Sequence, residues 1–196
     1  MKRRPYKGRD RFAQRARDEG YAARSVYKLE EVQRRFKLLR RNQRVVDLGC
    51  FPGSWSSYAL ERIGPEGVLV GVDLEAPALP GGTWIAASVY DVEPETLLEA
   101  LGGPADVVLS DMAPATTGQR DADHFAQIAL AERAFDLAAA TLAPGGAFVT
   151  KVFEGKEAQG FQKAVKARFD KVKRVRPEAV RKQSREWFLV ATGFRA

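Results

Sequence analysis

The chain has 196 residues, a formal net charge of +7, one cysteine (Cys50) and one histidine (His124). That length suits one domain with a central sheet covered by helices on both faces, and the lone Cys and His exclude a disulfide framework and argue against a Cys/His metal site. No apolar run reaches membrane-spanning length and the Met-Lys-Arg-Arg-Pro start lacks the apolar centre of a secretory signal, so the expected location is the cytoplasm.

The charge is unevenly spread. Residues 1–41 carry 15 Lys/Arg against 5 Asp/Glu, residues 42–150 carry 4 against 15, and residues 151–196 carry 13 against 5. Basic ends attract polyanions by counterion release, and nucleic acid is the commonest such partner. A simple gain in solubility is the plainer alternative.

Residues 1–21 interleave Arg and Lys with Tyr6, Phe12 and Tyr21 and show no helical apolar face. They are expected to form a mobile basic arm ahead of a single domain over residues 22–196. The aromatics could stack on unpaired bases or pin the arm to the protein. From Ser25, a candidate N-cap, Val26, Leu29, Val32 and Phe36 recur at helical spacing, with Lys28 one position off that stripe.

Arg44-Val-Val-Asp-Leu-Gly-Cys-Phe-Pro-Gly-Ser-Trp55 then reads as a buried strand, a glycine-bracketed turn at Gly49 and Gly53, and a helix from Trp55 to Ile63. The dinucleotide pattern GxGxxG fails at Phe51, and the phosphate loop fails because Ser54 stands where a lysine must follow the last glycine. An Asp at a strand end followed by Gly-x-x-x-Gly suits a cationic nucleoside better than phosphates. The pattern recurs in S-adenosylmethionine-dependent methyltransferases, although an ordinary strand–helix turn would also satisfy it.

Further strands are expected over Gly67–Asp73, Thr83–Ala87 and Ala105–Asp111, the first and last ending in an acid. Asp73 lies 24 residues after Gly49, close to the spacing at which a second-strand carboxylate grips ribose hydroxyls. A helix is expected after Pro94, a polar loop over 115–122, and an Ala-rich helix from Ala126 to Leu142. The run Ala147–Phe153 contains Lys151, which faces a cleft at the strand's carboxyl end or snorkels at an edge. A helix from Glu157 to Phe169 and strands over Lys171–Arg176 and Glu186–Thr192 follow, the last two joined by the basic loop 181–185. Such alternation argues a doubly wound α/β sheet, whose ligands bind at the carboxyl ends of the strands. That rule gathers Asp47, Gly49, Asp73, Asp91, Asp111 and Lys151 on one rim.

Five segments occur in order: Tyr27-Lys28-Leu29, Asp47 to Trp55, Ser110-Asp111-Met-Ala-Pro114, Thr150-Lys151-Val152-Phe153 and Ser184-Arg-Glu186. Together they resemble the RlmE/FtsJ (RrmJ) family of ribosomal RNA ribose 2′-O-methyltransferases over nearly the whole chain. The resemblance implies a class I S-adenosylmethionine-dependent methyltransferase (Rossmann-like) sheet, mostly parallel with an antiparallel last strand. It implies a catalytic set at Lys28, Asp111, Lys151 and Glu186 and cofactor contacts at Gly53, Trp55, Asp73 and Asp111, beside Gly49 of the same loop. Two departures stand out. The usual Ala-x-Pro-Gly-Gly-Trp is here Cys50-Phe51-Pro52-Gly53-Ser54-Trp55, where Ser54 could cap the helix, and an adenine-binding acid is replaced by Ser88, with Asp91 as its nearest substitute.

The residue set fits the chemistry. A ribose 2′-hydroxyl is a weak acid that must be aligned behind the methyl group and lose a proton as the bond forms. A lysine accepts that proton only when burial or a nearby cation favours its neutral form, which assigns Lys151 as base and Lys28 as neighbouring cation, or Lys151 as an orienting group. The family's target is a uridine in the A-loop of 23S rRNA within the 50S subunit, taken by a monomer without a metal. A tRNA 2′-O-methyltransferase and a non-catalytic RNA-binding assembly factor with the same fold are the alternatives.

Overall fold

Strands built from β-branched and apolar residues pair because their backbone groups need partners once removed from water. The computed structural model describes residues 10–115 and 118–196; residues 1–9 of the basic arm and residues 116 and 117 of the polar loop lie outside these. Its strands are Arg44–Leu48 (β1), Val68–Asp73 (β2), Thr83–Ala86 (β3), Ala105–Ser110 (β4), Leu142–Phe153 (β5), Phe169–Val175 (β6) and Glu186–Phe194 (β7). They form one sheet in the order β3-β2-β1-β4-β5-β7-β6. Pairing is parallel from β3 through β5, and β7 runs antiparallel to both neighbours. The expected mostly parallel sheet with its reversed last strand is therefore present.

Side chains alternate across the sheet, and each face meets its own helices. Val45, Leu69, Val107, Leu109, Val149, Phe188 and Val190 share a core with the helices Val26–Phe36 (α2) and Ser54–Ile63 (α3). Val46, Val70, Val72, Val108, Phe148, Leu189 and Ala191 share the other with Pro94–Leu101 (α4), Arg120–Thr141 (α5) and Glu157–Lys166 (α6).

Several boundaries differ from the expectation, each for a local reason. Arg11–Asp18 is a helix (α1) rather than unstructured arm: Asp10 caps it by accepting from the Ala13 N–H at 3.3 Å, and Ala16 is buried. Phe12 and Tyr21 both pack on Tyr27, with ring centroids 5.6 and 6.5 Å away, and Arg24 bonds both Asp10 and the Ala179 carbonyl. Two turns are too short for a periodic stripe to show. Ser25 makes no side-chain cap to α2; its carbonyl accepts the Trp55 indole N–H at 2.9 Å and fastens α2 to α3. Ser54 does not cap α3 either, because Gly53 holds that position with φ of 102° and Ser54 is already helical. Helix α5 begins six residues before Ala126, with Asp121 and Asp123 in its first turn where the helix dipole favours acids. Strand β5 begins at Leu142, and its pairing with β4 slips between Ala105 and Val107, so Pro144-Gly145-Gly146 is an irregularity within the strand.

Asp47 is also not on the rim. It is fully buried, the Ser56 hydroxyl of α3 donates to Oδ2 at 2.6 Å, and Oδ1 has no partner among the described residues. Burial pushes its pKa up to about 7, helped by nearby Asp111 and Asp73 and opposed by Ser56. The folded chain thus holds this proton more tightly than the unfolded one, so Asp47's contribution to stability is full below about pH 4 and is lost as pH rises through about 7. Asp47→Asn should accordingly raise the urea midpoint more at pH 8 than at pH 5; an equal shift at both would contradict this reading.

Candidate active site

Three neighbouring strands bring three charges to one place. Strand alternation puts Leu109 and Asp111, Val149 and Lys151, and Phe188 and Glu186 on the face that α2 covers. Because β7 is antiparallel, its first residue lies at the same rim as the last residues of β4 and β5: Phe153 pairs with Glu186 and Lys151 with Phe188. Helix α2 adds Lys28 beside its buried Val26, Tyr27 and Leu29.

The four groups meet closely. Lys28 Nζ lies 2.8 Å from Glu186 Oε1 and 3.5 Å from Asp111 Oδ2. Lys151 Nζ donates to the Asp111 carbonyl at 2.7 Å and lies 3.2 Å from Asp111 Oδ1, an ion contact whose geometry is not that of a hydrogen bond. All four side chains are between 7% and 15% exposed. Burial acts to lower the Lys28 pKa, yet Asp111 and Glu186 outweigh it and the pKa is raised. Lys28 is therefore held as an ammonium. Phe188 supports it from 5.5 Å, and Trp55 packs on Phe188 with ring centroids 5.6 Å apart.

A cleft of about 670 Å³ opens beside these charges, at the carboxyl ends of β1, β2 and β4. Strand order reverses between β1 and β4, the place where doubly wound sheets bind ligands. Gly49, Asp73, Ser88, Tyr90, Asp111 and Met112 help line it. Gly49 has φ of 82°, and an added Cβ would sit 2.5 Å from Met112 Cγ, so only glycine suits this floor. Asp73 accepts the Phe51 N–H at 2.9 Å and the Leu74 N–H at 2.7 Å, which fixes its carboxylate at the end of β2. The cleft thus has two carboxylates, a glycine floor and apolar walls, a combination that fits a cationic nucleoside with ribose hydroxyls.

The other expected cofactor residues are not among those lining the cleft. Gly53 packs under Leu79 and Pro77, where a Cβ would come within 2.6 Å of Leu79 Cδ1. Trp55 is buried between Ser25 and Phe188. Asp91 is exposed, its N–H donating to the Ser88 carbonyl at 2.9 Å; Ser88 itself lines the cleft.

Three positioning residues escape a reading by pattern. Gln127 of α5, 1% exposed, donates to the Lys151 carbonyl at 2.6 Å and accepts the Phe153 N–H at 2.8 Å, which pins β5 on both sides of Val152. A glutamine between the apolar positions of an Ala-rich helix was the available signal. Arg133 donates to the Val89 and Val92 carbonyls at 2.9 and 2.7 Å, holding the turn that carries Ser88 and Tyr90. Arg176 donates to the carbonyls of Glu186, Ser184 and Arg181 at 3.0, 2.7 and 3.3 Å, closing the loop ahead of Glu186.

With this geometry in view, the comparisons agree. The family profile of FtsJ-like methyltransferases matches residues 21–194. Ribosomal RNA large subunit methyltransferase E of Desulforapulum autotrophicum is 45% identical over 187 residues, covering 94% of this chain and 92% of its own. Its namesake in Acidiphilium cryptum is 48% identical over 188 residues, covering 95% and 83%. The crystal structure of a ribosomal RNA methyltransferase from Plasmodium falciparum matches with a TM-score of 0.78 at 25% identity, covering 89% of this chain and 98% of that one. A mostly parallel sheet with reversed β7, a cleft at its switch point and these relatives establish that the chain belongs to the FtsJ-like methyltransferase family.

Proposed function

We propose that this chain methylates a ribose 2′-hydroxyl of large-subunit ribosomal RNA, on a uridine in the A-loop of 23S rRNA within the 50S subunit. The observation that carries the reading is the convergence of Lys28, Asp111, Lys151 and Glu186 at the edge of a cleft that Asp111 also lines. S-adenosylmethionine, when bound in the cleft, supplies a methyl group already activated by its sulfonium. Asp73 and the backbone at Gly49 hold the nucleoside end, and Asp111 faces the positive charge.

The protein's own task is to align and deprotonate the hydroxyl. Lys28, kept as an ammonium by two carboxylates, does not take that proton, and the role is assigned to Lys151 on its position beside Asp111. Lys151 Nζ would orient the 2′-oxygen and take up its proton as the oxygen–carbon bond forms and the sulfur–methyl bond breaks, leaving a neutral thioether. Glu186 and Asp111 keep both lysine side chains in register. A non-catalytic assembly factor would have no use for two buried lysines gathered on two carboxylates at a cleft. The basic segment over residues 1–21 and the basic loop 181–185 grip RNA by shape and charge. The enzyme acts as a monomer in the cytoplasm, where its ribosomal substrate is.

Methyl transfer from labelled cofactor to undermethylated 50S subunits, with the modified nucleotide mapped, tests this reading; no incorporation would end it. Lys151→Ala should lower kcat by about 100-fold or more with cofactor affinity retained; near-normal turnover would remove Lys151 from the chemistry. Arg133→Ala should raise the KM for S-adenosylmethionine by about tenfold, about 1.4 kcal/mol, through loss of two charged hydrogen bonds to the cleft turn. A loss confined to kcat would contradict that role.

A further inference from the structure

Beyond the four charged residues, β5 and β7 continue one more step: the Glu154 N–H donates to the Arg185 carbonyl at 3.0 Å, next to the Phe153–Glu186 pair. Where the two strands run out, a hollow of about 260 Å³ opens between the start of α5 and the loop after β5. Phe125 lies in its wall and is 55% exposed. A singly exposed ring is ordinary; what distinguishes Phe125 is that it walls a hollow whose rim carries Lys156 and Arg185.

The ring has a firm backing. His124 lies behind it with ring centroids 6.0 Å apart, and Glu157 Oε2 is 2.7 Å from His124 Nε2. Gly155 sits so close to the imidazole that a Cβ there would overlap it. The charges of the hollow also have a pattern. Glu154 is ion-paired with Arg174, Glu157 is hydrogen-bonded to His124, and Lys156 and Arg185 stand exposed at the rim. Asp121 is the remaining carboxylate, and it suits an N–H edge better than a phosphate. A flat aromatic face beside cations is the arrangement on which unpaired bases stack.

We propose that this hollow takes the base of an unpaired nucleotide that flanks the target ribose in the RNA strand, stacked on Phe125 with its phosphate towards Lys156 and Arg185. The inference rests on the RNA-methylating reading above and adds a second contact to it. Glu154 lies three residues beyond Lys151, about 10 Å along the strand, which is the place of a neighbouring nucleotide rather than of the target itself. A second hollow of about 580 Å³ shares Glu154, Lys156 and Arg185 with the first and shares Ser184 with a third, which Lys28 and Glu186 line. The RNA strand therefore has a polar path from Glu186 to Phe125.

Phe125→Ala and Phe125→Trp should be compared in methylation of undermethylated 50S subunits and in direct binding of oligouridylate. Phe125→Ala should raise the KM for 50S subunits by about fivefold or more and weaken oligouridylate binding by a similar factor, as loss of one stacked base predicts. Phe125→Trp should restore both, with the cofactor KM and the thermal midpoint of either variant close to wild type. Unchanged substrate KM and oligouridylate affinity in Phe125→Ala would overturn the inference. A loss on 50S subunits with unchanged oligouridylate binding would overturn it too, and would give Phe125 to a ribosomal protein. Failure of the parent reading looks different: wild-type protein would transfer no methyl group, while the oligouridylate measurement would still report on the hollow.

Discussion

The carboxylate of Asp111 is shared by two lysine side chains, and much of the molecule is arranged around that contact. One oxygen faces Lys28 at 3.5 Å and the other faces Lys151 at 3.2 Å, with Glu186 completing the set from the far side of Lys28. Buried charges are tolerable only when each has a close partner, and removing one partner typically costs about 3–5 kcal/mol. Two lysines set against two carboxylates meet this requirement. The same balance fixes Lys28 above all, since its loss would leave Glu186 without its ammonium partner, whereas Asp111 is held by both lysines.

The fold supplies the contact through one topological feature. A strictly parallel sheet would place the start of its last strand at the opposite edge from the ends of β4 and β5. Reversal of β7 brings Glu186 to the same rim, and the hairpin with β6 makes that reversal short. Arg176 then closes the intervening loop with three carbonyl contacts, and Gln127 fixes β5 on the opposite side. Trp55 serves the same end from below, through the Ser25 carbonyl and the Phe188 ring that Lys28 rests on. A residue expected at the cofactor thus holds the helix that delivers Lys28.

A lysine within the apolar run of β5 was conspicuous from sequence, and period-two alternation placed it on one face with its neighbours' charges. Strand ends at Asp73 and Asp111 were legible for the same reason, because an acid halts an apolar run. The start of α5 was not, since residues 120–125 have no apolar stripe and the helix begins on acids near its N-terminus. Helix α1 was hidden because two turns capped by Asp10 leave too little periodicity. Asp47 reads as a rim residue by position, yet its parity on β1 turns it towards Ser56 and away from the cleft. Gln127 and Arg133 act by bonding backbone carbonyls 24 to 44 residues away, which no local pattern encodes, and Arg176 acts through the shape of the loop that follows it. The comparison of Ser88 with Asp91 likewise needed the turn's shape, which points Asp91 to solvent.

Everything in the proposed chemistry requires that the cleft and the charged cluster be one site. A crystal structure of the protein with S-adenosylhomocysteine tests this most directly. The account predicts the nucleoside along Gly49 and Asp73, with the sulfur at the Asp111 end and Lys151 Nζ across from it. Density for the ligand away from Asp111, or a sulfur separated from Lys151 by intervening protein, would contradict it.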